Sequence, residues 1–405
     1  MRLELAATGI GVIAAIGQGK ARFAEAMLRG DAVFGVMRRD GRQSRSAFLG
    51  AEINDIAIPA DITPQMRRAA SLSALAALTV LHEAWTEARL SDYDPSRVGL
   101  IVGGSNLQQR ETALLHEAYR EREAFLRPTY ALSFMDTDLC GFCTSAFGIR
   151  GPAWTIGGAS ASGQLAIVKA AEAIESGRVD ACIALGALMD LSHWECRAFR
   201  SLGAMGSDRF ADAPMLACRP FDQEHDGFIY GESSAAVVIE RADRARERGA
   251  RPYGFLDGWG VVMDANRNPD PSFEGESNAI VQAISRAGWV ADQIDYVNPH
   301  GTGSIIGDLT ELQALRMCGL ESAWINATKS LIGHGLSAAG TVEVASTLLQ
   351  MAAGRLHPTR NLDAPIDGDM RWVTENGVEH HIGRALTLSM GFGGMNTALC
   401  WRSAC

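Results

Sequence analysis

The sequence lacks the features that would direct it into a membrane or along a secretory route. No run approaches the roughly 18 consecutive apolar residues that a membrane-spanning helix needs. The first 19 residues are apolar, but they carry Arg2 and Glu4 and have neither the basic start nor the continuous apolar core of a secretory signal. We therefore expect a cytoplasmic protein that does not associate with membranes.

A dense pattern of cysteines is also lacking in this chain of 405 residues. The eight cysteines, at 140, 143, 182, 196, 218, 318, 400 and 405, do not have the dense spacing of a disulfide-rich secreted domain, so we expect reduced thiols. Cys140 and Cys143 form the only CxxC pair, and no second pair accompanies them. We interpret both as small buried hydrophobic side chains and expect no metal site.

Net positive charge is also lacking. The chain has 37 Lys and Arg against 47 Asp and Glu, a formal net charge of −10, which argues against nucleic acid as the general partner. Two basic clusters remain, one of Arg38, Arg39, Arg42 and Arg45, and one of Arg67 and Arg68 at the start of a predicted helix. For any single arginine, a solvated surface position is the simpler interpretation.

The composition that is present is that of a globular protein, with 47% hydrophobic and 21% charged residues, enough for a large core and for two or three domains. Short apolar runs alternate with helical patterns, which predicts an α/β fold with a sheet covered on both faces. Predicted strands lie near residues 3–8, 98–102, 180–185, 234–240, 294–298, 324–327, 385–389 and 397–401. Predicted helices lie near residues 20–29, 66–88, 110–122 and 337–353 and from about 308, and residues 30–63 are predicted to form a polar surface excursion.

The stretch at residues 151–170, GPAWTIGGASASGQLAIVKA, predicts a strand, a sharp turn and a helix. Gly157 and Gly158 permit the strained backbone of such a turn, so Ser160 is presented at its apex before the N-terminus of the helix. Taken alone, Ser160 is as well explained as a helix N-cap.

Three downstream motifs change that interpretation. They are VNPHGTGSIIGDLTE at 297–311, KSLIGHGLSAAG at 329–340 and SMGFGGMN at 389–396. Together with the turn they resemble the β-ketoacyl synthases of the thiolase superfamily, in that family's order and spacing, and the resemblance covers essentially the whole chain. It implies a thiolase fold, a duplicated five-layer αβαβα stack with halves at 1–245 and 246–405 forming one compact unit, and a homodimer.

The resemblance also implies the roles of the site residues. His300 and His334 would stabilise the enolate that forms when a malonyl thioester loses carbon dioxide. Lys329 and Glu311 would form an ion pair that orients the two histidines, with Asp308 as a neighbouring acidic group.

Other residues match positions at the edge of the family's site. Phe392 would stand at the mouth of the acyl pocket, and its backbone N–H and that of Ser160 would form the oxyanion hole. Arg67 and Arg68 would help to dock an acyl carrier protein. The substrate would arrive on the carrier's phosphopantetheine arm, and no other cofactor is implied.

One departure from the family decides the predicted reaction. The apex residue of the turn is a nucleophilic cysteine in β-ketoacyl synthases, and here it is Ser160. A serine needs a dedicated general base, and the two histidines are committed to the thioester oxygen. We therefore predict decarboxylation of malonyl-ACP to acetyl-ACP without condensation, as in the similar stand-alone ketosynthase-like proteins of polyketide β-branching cassettes that contain an HMG-CoA-synthase-like enzyme.

Two alternatives stay open at this point. Ser160 could be acylated, which would preserve acyl transfer or condensation. The chain could also be a non-catalytic partner similar to a chain-length factor. Such partners usually depart from the family at the histidine positions as well, whereas His300, His334 and Lys329 are all retained here.

Overall fold

The computed structural model of the chain describes residues 3–404. Its strands are β1 (Leu5–Ala14), β2 (Gly17–Gln18), β3 (Gly35–Val36), β4 (Leu49–Ala51), β5 (Val98–Gly103), β6 (Ala153–Ile156), β7 (Ala181–Gly186), β8 (Tyr230–Gly231), β9 (Ser233–Arg241), β10 (Gly254–Met263), β11 (Tyr296–Asn298), β12 (Trp324–Ile325), β13 (Arg355–Leu356), β14 (Val378–Glu379), β15 (Arg384–Gly391) and β16 (Met395–Ser403).

The α-helices are α1 (Lys20–Arg29), α2 (Pro64–Ala69), α3 (Leu72–Glu87), α4 (Gln109–Tyr119), α5 (Tyr130–Ser133), α6 (Thr137–Phe147), α7 (Ser162–Glu175), α8 (His193–Ser201), α9 (Ala242–Glu247), α10 (Phe273–Ala287), α11 (Ile305–Met317), α12 (Lys329–Ile332) and α13 (Ala339–Ala353). Short 3₁₀ turns lie at Leu90–Asp92, Pro95–Arg97, Glu123–Phe125, Ala159–Ala161, Pro214–Leu216, Ala291–Gln293 and Leu336–Ala338.

The main sheet is built from two five-strand units with the same topology. The first has the order β6-β5-β7-β9-β1 and the second the order β12-β11-β15-β16-β10. In the first unit β5 runs parallel to β6 and β7, and β9 runs antiparallel to β7 and β1. In the second unit β11 likewise runs parallel to β12 and β15, and β16 runs antiparallel to β15 and β10. The units join where β1 and β10 pair antiparallel. The strand order therefore shows an internal duplication that is not visible in the amino-acid sequence. The division at residue 245 stays a prediction.

The helices complete the five predicted layers. α3 packs on β1 and β9 of the first unit, α10 packs on β10 and β16 of the second, and α7 and α13 lie together between the two units. Most residues of α7 and nearly all residues of α13 are buried, as expected for helices covered by sheet on both sides. The prediction of an α/β thiolase fold is thus confirmed.

The N-termini of the two central helices meet at very short range. A Cβ at Gly163 would lie 2.5 Å from the backbone nitrogen of Thr341, and a Cβ at Gly340 would lie 2.9 Å from the side chain of Gln164. Glycine is required here because no other residue lets the two backbones approach so closely. This contact brings the turn before α7 next to the loop before α13.

Two predictions about local structure were wrong. Residues 66–88 form two helices, because Ala70 is extended and Ser71 starts a new helix by accepting a hydrogen bond from the Ala74 N–H. Residues 30–63 are not a surface excursion throughout, since β3 and β4 lie within them and Phe48 and Leu49 are buried.

Arg42 shows why that segment is ordered. Its guanidinium is fully buried and donates to the carboxylates of Asp190 and Glu232, and Arg39 also donates to Glu232. The predicted basic cluster is therefore no continuous solvated patch, and two of its four arginines hold the segment against the core. Sequence patterns could not reveal this cluster, because both carboxylates lie far from Arg42 along the chain.

The described cysteines are free thiols, as their spacing in the sequence predicts. The seven cysteines between residues 3 and 404 are free, Cys140 and Cys143 are buried in α6, and burial raises the pKa of both thiols. The interpretation of the CxxC pair as buried hydrophobic side chains is confirmed.

In the described part of the chain, none of the helices has both the length and the apolar character needed to cross a bilayer.

Replacing Arg42 by alanine should lower the free energy of unfolding by about 3–5 kcal/mol, because Asp190 and Glu232 would lose a buried counter-ion. Arg45 is exposed in the same segment, and Arg45→Ala should change the stability by less than about 0.5 kcal/mol. Chemical denaturation of both variants measures the difference. Equal stabilities would contradict the importance of the buried ion cluster.

Candidate active site

Ser160 lies at the apex of the predicted turn. β6 leads into Gly157 and Gly158, a single 3₁₀ turn spans Ala159–Ala161, and α7 starts at Ser162. Ala159 has a φ of 48°, a left-handed conformation that costs energy for a residue with a side chain and that is typical of functional turns. Ser160 does not cap α7, whose N-cap is Ala161 without a side-chain bond. The N-cap interpretation is therefore wrong.

The two predicted histidines meet at Ser160. His300 follows β11, and His334 precedes the 3₁₀ turn that leads into α13. Ser160 Oγ is 2.9 Å from His334 Nε2, and the centroids of the two imidazole rings are 5.4 Å apart with the ring planes almost perpendicular. The Phe228 ring also packs against His334 in a T-shaped contact, with the ring centroids 5.2 Å apart.

The tautomer of His334 follows from its other ring nitrogen. The backbone N–H of Leu336 donates to Nδ1 at 3.4 Å, so Nδ1 carries no proton and the proton of the neutral ring is on Nε2. The bond between His334 and Ser160 is therefore donated by the histidine. A group that donates to the serine hydroxyl cannot at the same time remove its proton.

The tautomer of His300 is set by Lys329 in the same way. The Lys329 ammonium is 3.4 Å from His300 Nδ1, and it also donates to the carbonyl oxygen of His300 and to the carboxylate of Glu343. Because an ammonium has only protons to offer, His300 Nδ1 accepts and Nε2 carries the proton. Burial and the nearby Lys329 charge lower the pKa of both histidines well below 6.5. Both rings are thus neutral Nε2–H donors at pH 7.

The predicted ion pair between Lys329 and Glu311 was wrong. Glu343 of α13 is the counter-ion of Lys329, and Glu311 instead accepts from the backbone N–H groups of His300 and Gly301 at 2.6 and 2.8 Å. Glu311 therefore shapes the loop that carries His300. Burial outweighs these two bonds and raises the pKa of Glu311 to about 8, and it raises that of Glu343 to about 7.

Asp308 has a similar role to that of Glu311. Its carboxylate accepts from the backbone N–H groups of Gly303 and Phe221. It thus holds the loop after His300 against a second part of the chain.

Glu343 was missed by the sequence analysis, although one signal was present. It is the only charged residue in a helix of small and apolar residues, and a buried charge needs a partner.

Phe392 lies in the turn between β15 and β16, beside the turn of Ser160. A Cβ at Gly391 would lie 2.1 Å from the carbonyl oxygen of Gly158, and Ser389 Oγ donates to the carbonyl oxygen of Ser160 at 3.0 Å. Only glycine permits this approach. Phe392 lines the cavity and is 42% exposed, which fits its predicted position at the mouth, while the oxyanion hole stays a prediction.

The predicted carrier-docking arginines lie in the last turn of α2 and not at the start of a helix. Arg67 donates to the carbonyl oxygens of Ile62 and Pro59, so part of its donor capacity supports the local loop. Arg68 is exposed. Their part in docking stays a prediction.

A cavity of about 190 Å³ connects these groups. Ser160, His300, His334 and Phe392 line it together with the apolar side chains of Met189, Phe199 and Phe228. It is also lined by a set of polar side chains that the sequence analysis mostly missed, namely Asp264, Glu276, Asp308, Glu311 and Asn396. The cavity therefore offers apolar side chains for a small acyl group beside the two imidazole rings, and it also contains several carboxyl groups.

Comparisons with known proteins agree with this geometry. The family model described as the β-ketoacyl synthase N-terminal domain matches residues 4–245, and the model of the C-terminal domain matches residues 253–363. The chain is 59% identical to the polyketide biosynthesis malonyl-ACP decarboxylase PksF of Bacillus subtilis (strain 168), over 98% of this chain and 96% of that protein.

Solved structures are similar over the whole chain. A β-ketoacyl synthase from Burkholderia phymatum STM815 superposes with a TM-score of 0.91 at 27% identity, covering 99% of both chains. A ketosynthase solved in complex with a type II polyketide acyl carrier protein superposes with a TM-score of 0.87 at 25% identity, covering 100% of both chains.

The tautomers can be checked without any substrate. At pH 6, the ¹⁵N signals of His300 and His334 should be those of neutral rings protonated on Nε2, because burial and Lys329 keep their pKa values well below 6.5. Spectra of the histidine-labelled protein, assigned with single His→Ala variants, provide the measurement. A proton on Nδ1, or a doubly protonated ring at pH 6, would contradict the arrangement.

Proposed function

Since the chain belongs to the β-ketoacyl synthase family, we propose that it removes carbon dioxide from malonyl-ACP and releases acetyl-ACP without condensation. The Bacillus subtilis relative, at 59% identity, is named as a malonyl-ACP decarboxylase of polyketide biosynthesis. The observation that carries the proposal is the direction of one hydrogen bond. His334 donates to Ser160, so the serine has no base, while both imidazoles keep the N–H groups that decarboxylation needs.

The decarboxylation follows from the two donors. With the thioester oxygen between His300 Nε2–H and His334 Nε2–H, cleavage of the bond to the carboxylate releases carbon dioxide and leaves an enolate whose charge develops on that oxygen. Preorganised donors in a buried site stabilise such charge strongly, and the loss of one typically costs 10²–10³ in rate. The low pKa values of the two rings keep them as neutral donors throughout.

Covalent capture is disfavoured at the same place. A serine attacks a thioester only when a base removes its proton, and the imidazole nitrogen that lies 2.9 Å from Ser160 Oγ carries a proton itself. When the His334 N–H turns to the thioester oxygen, Ser160 gains no base, and its hydroxyl can still donate its own hydrogen to the substrate. We therefore assign it a non-covalent role beside the thioester.

The substrate is proposed to arrive on the phosphopantetheine arm of an acyl carrier protein, with no other cofactor. A structural neighbour of this chain is a ketosynthase bound to its carrier protein, which supports such a partner. Arg68 is exposed on α2 and offers a basic contact for an acidic carrier. We propose that the acetyl-ACP serves polyketide β-branching in the cytoplasm.

A homodimer is part of the same proposal. β6 is the edge strand of the first unit, and within residues 3–404 it pairs only with β5. An open edge with apolar side chains nearby favours pairing with a second copy. Trp154 on this strand and Phe134 and Met135 in the preceding segment are 41%, 58% and 51% exposed.

The central experiment follows malonyl-ACP by intact mass after the enzyme is added. The expected result is a decrease in the mass of the carrier equal to one carbon dioxide molecule, with no elongated product. His300→Ala and His334→Ala should each lower the rate about 100-fold or more, because each removes one donor to the enolate oxygen. An inert wild-type enzyme, or formation of a β-ketoacyl chain, would refute the proposal.

Ser160 variants separate decarboxylation from covalent capture. Ser160→Ala should retain a substantial part of the decarboxylase rate, because the two N–H donors remain. Ser160→Cys should acquire a covalent acyl group, since a thiol near a helix N-terminus ionises far more readily than a hydroxyl. Mass spectrometry of the peptide that contains position 160 detects the adduct. An acyl group on Ser160 of the wild-type enzyme would instead support acyl transfer.

A further inference from the structure

Glu276 is a buried acid at the cavity that the reaction described so far does not use. It lies in the first turn of α10 and is 2% exposed. It lines the same cavity as Ser160, His300 and His334, together with Asp264 and Asn396. None of the sequence motifs pointed to it.

The surroundings of Glu276 offer it no charge partner. Within residues 3–404, its Oε2 atom is buried without any hydrogen-bond partner. Burial raises its pKa well above 4.5, and the neighbouring carboxyl groups of Glu311, Asp264 and Asp308 raise it further. An unpaired buried carboxylate is costly, so the neutral acid is the stable form.

We propose that Glu276 is the acid that protonates the enolate carbon once carbon dioxide has left. This rests on the proposed decarboxylase function and adds the step that the two histidines do not supply. The enolate carbon forms a new bond to the Glu276 proton, the O–H bond of the acid breaks, and the electron pair stays on the carboxylate. The products are the acetyl thioester and an ionised Glu276, which then takes a proton from water.

The other groups at the cavity are less suited to this step. His300 and His334 are neutral donors, and giving up Nε2–H to carbon would leave an imidazolate. Both carboxyl oxygens of Glu311 and of Asp308 already accept backbone N–H bonds, so neither group has a free oxygen from which to deliver a proton. Among the described residues that line the cavity, Glu276 is the buried acid with an uncommitted oxygen.

The acidic groups near Glu276 favour renewal of its proton after the reaction. Asp264 is half-buried beside Glu276, accepts from Asn396 at 2.7 Å, and lines the cavity together with the exposed Asp270. The carboxylate formed at Glu276 is surrounded by acidic groups, which favour its reprotonation before the next substrate binds.

The test compares Glu276→Gln with wild type in a 1:1 mixture of H₂O and D₂O. Two quantities are measured: the turnover of malonyl-ACP and the deuterium content of the acetyl methyl group by mass spectrometry. Glutamine has the same shape as the neutral acid but cannot release a proton. We expect turnover to fall about 100-fold, the usual scale of general acid catalysis, and the deuterium content to change because water replaces the carboxyl group as donor.

Glu274→Gln is the matched control, because Glu274 lies exposed in the same helical turn. It should leave both quantities at the wild-type values. Glu276→Asp keeps an acid on a shorter side chain, and its turnover should lie between those of Glu276→Gln and wild type. This variant also serves as the test should the glutamine variant fail to fold.

The outcomes separate the two proposals. A wild-type enzyme that produces no acetyl-ACP would refute the decarboxylase function itself. A changed deuterium content in Glu276→Gln, with or without slower turnover, supports Glu276 as the proton donor. An unchanged deuterium content overturns it, and slower turnover alone would then reflect a structural role only.

Discussion

The Lys329 ammonium is the interaction on which the site depends. It is buried, and its three donor bonds go to the ring nitrogen of His300, to the carbonyl oxygen of His300 and to Glu343. A buried charge is tolerated only when it is paired and fully hydrogen-bonded. The three bonds of Lys329 therefore hold the loop of His300, set the tautomer of the His300 ring and connect this loop to α13. The positive charge of Lys329 also lowers the pKa of both imidazoles, which stay neutral.

The duplicated fold supplies the place where this can happen. Each unit contributes one central helix, and the glycines at the N-termini of α7 and α13 let the turn of Ser160 and the loop of His334 come into contact. His300 arrives from the end of β11, and Phe392 from the turn after β15. Four segments far apart in the chain thus line one cavity, and each is held by backbone packing that tolerates little change.

The reaction that the site supports depends on which imidazole nitrogens carry protons. The Leu336 N–H makes His334 a donor, so the hydroxyl at position 160 is left without a base, whereas a cysteine there would need less help to ionise. The same donor, together with His300, stabilises negative charge on a thioester oxygen. A site that supports only the first half of a condensation follows from these hydrogen bonds, and the proposed role of Glu276 adds a proton source at the same cavity.

Much of this protein is determined by its sequence alone. The strand-turn-helix around Ser160, the motifs around His300, His334 and Lys329, and the α/β class follow from local patterns and from spacing along the chain. The serine at position 160, where β-ketoacyl synthases have cysteine, is likewise read directly from the sequence. Residue type and short-range periodicity act over a few residues, so a sequence reports them directly.

The tertiary structure decided the pairings. Lys329 binds Glu343 and not Glu311, Arg42 is buried between two carboxylates, and Glu276 reaches the cavity without a partner. These contacts join segments that are remote in the sequence or lie on different layers of the fold. Which charges meet, and which remain alone, depends on burial and on distances between elements, and neither quantity exists until the chain has folded.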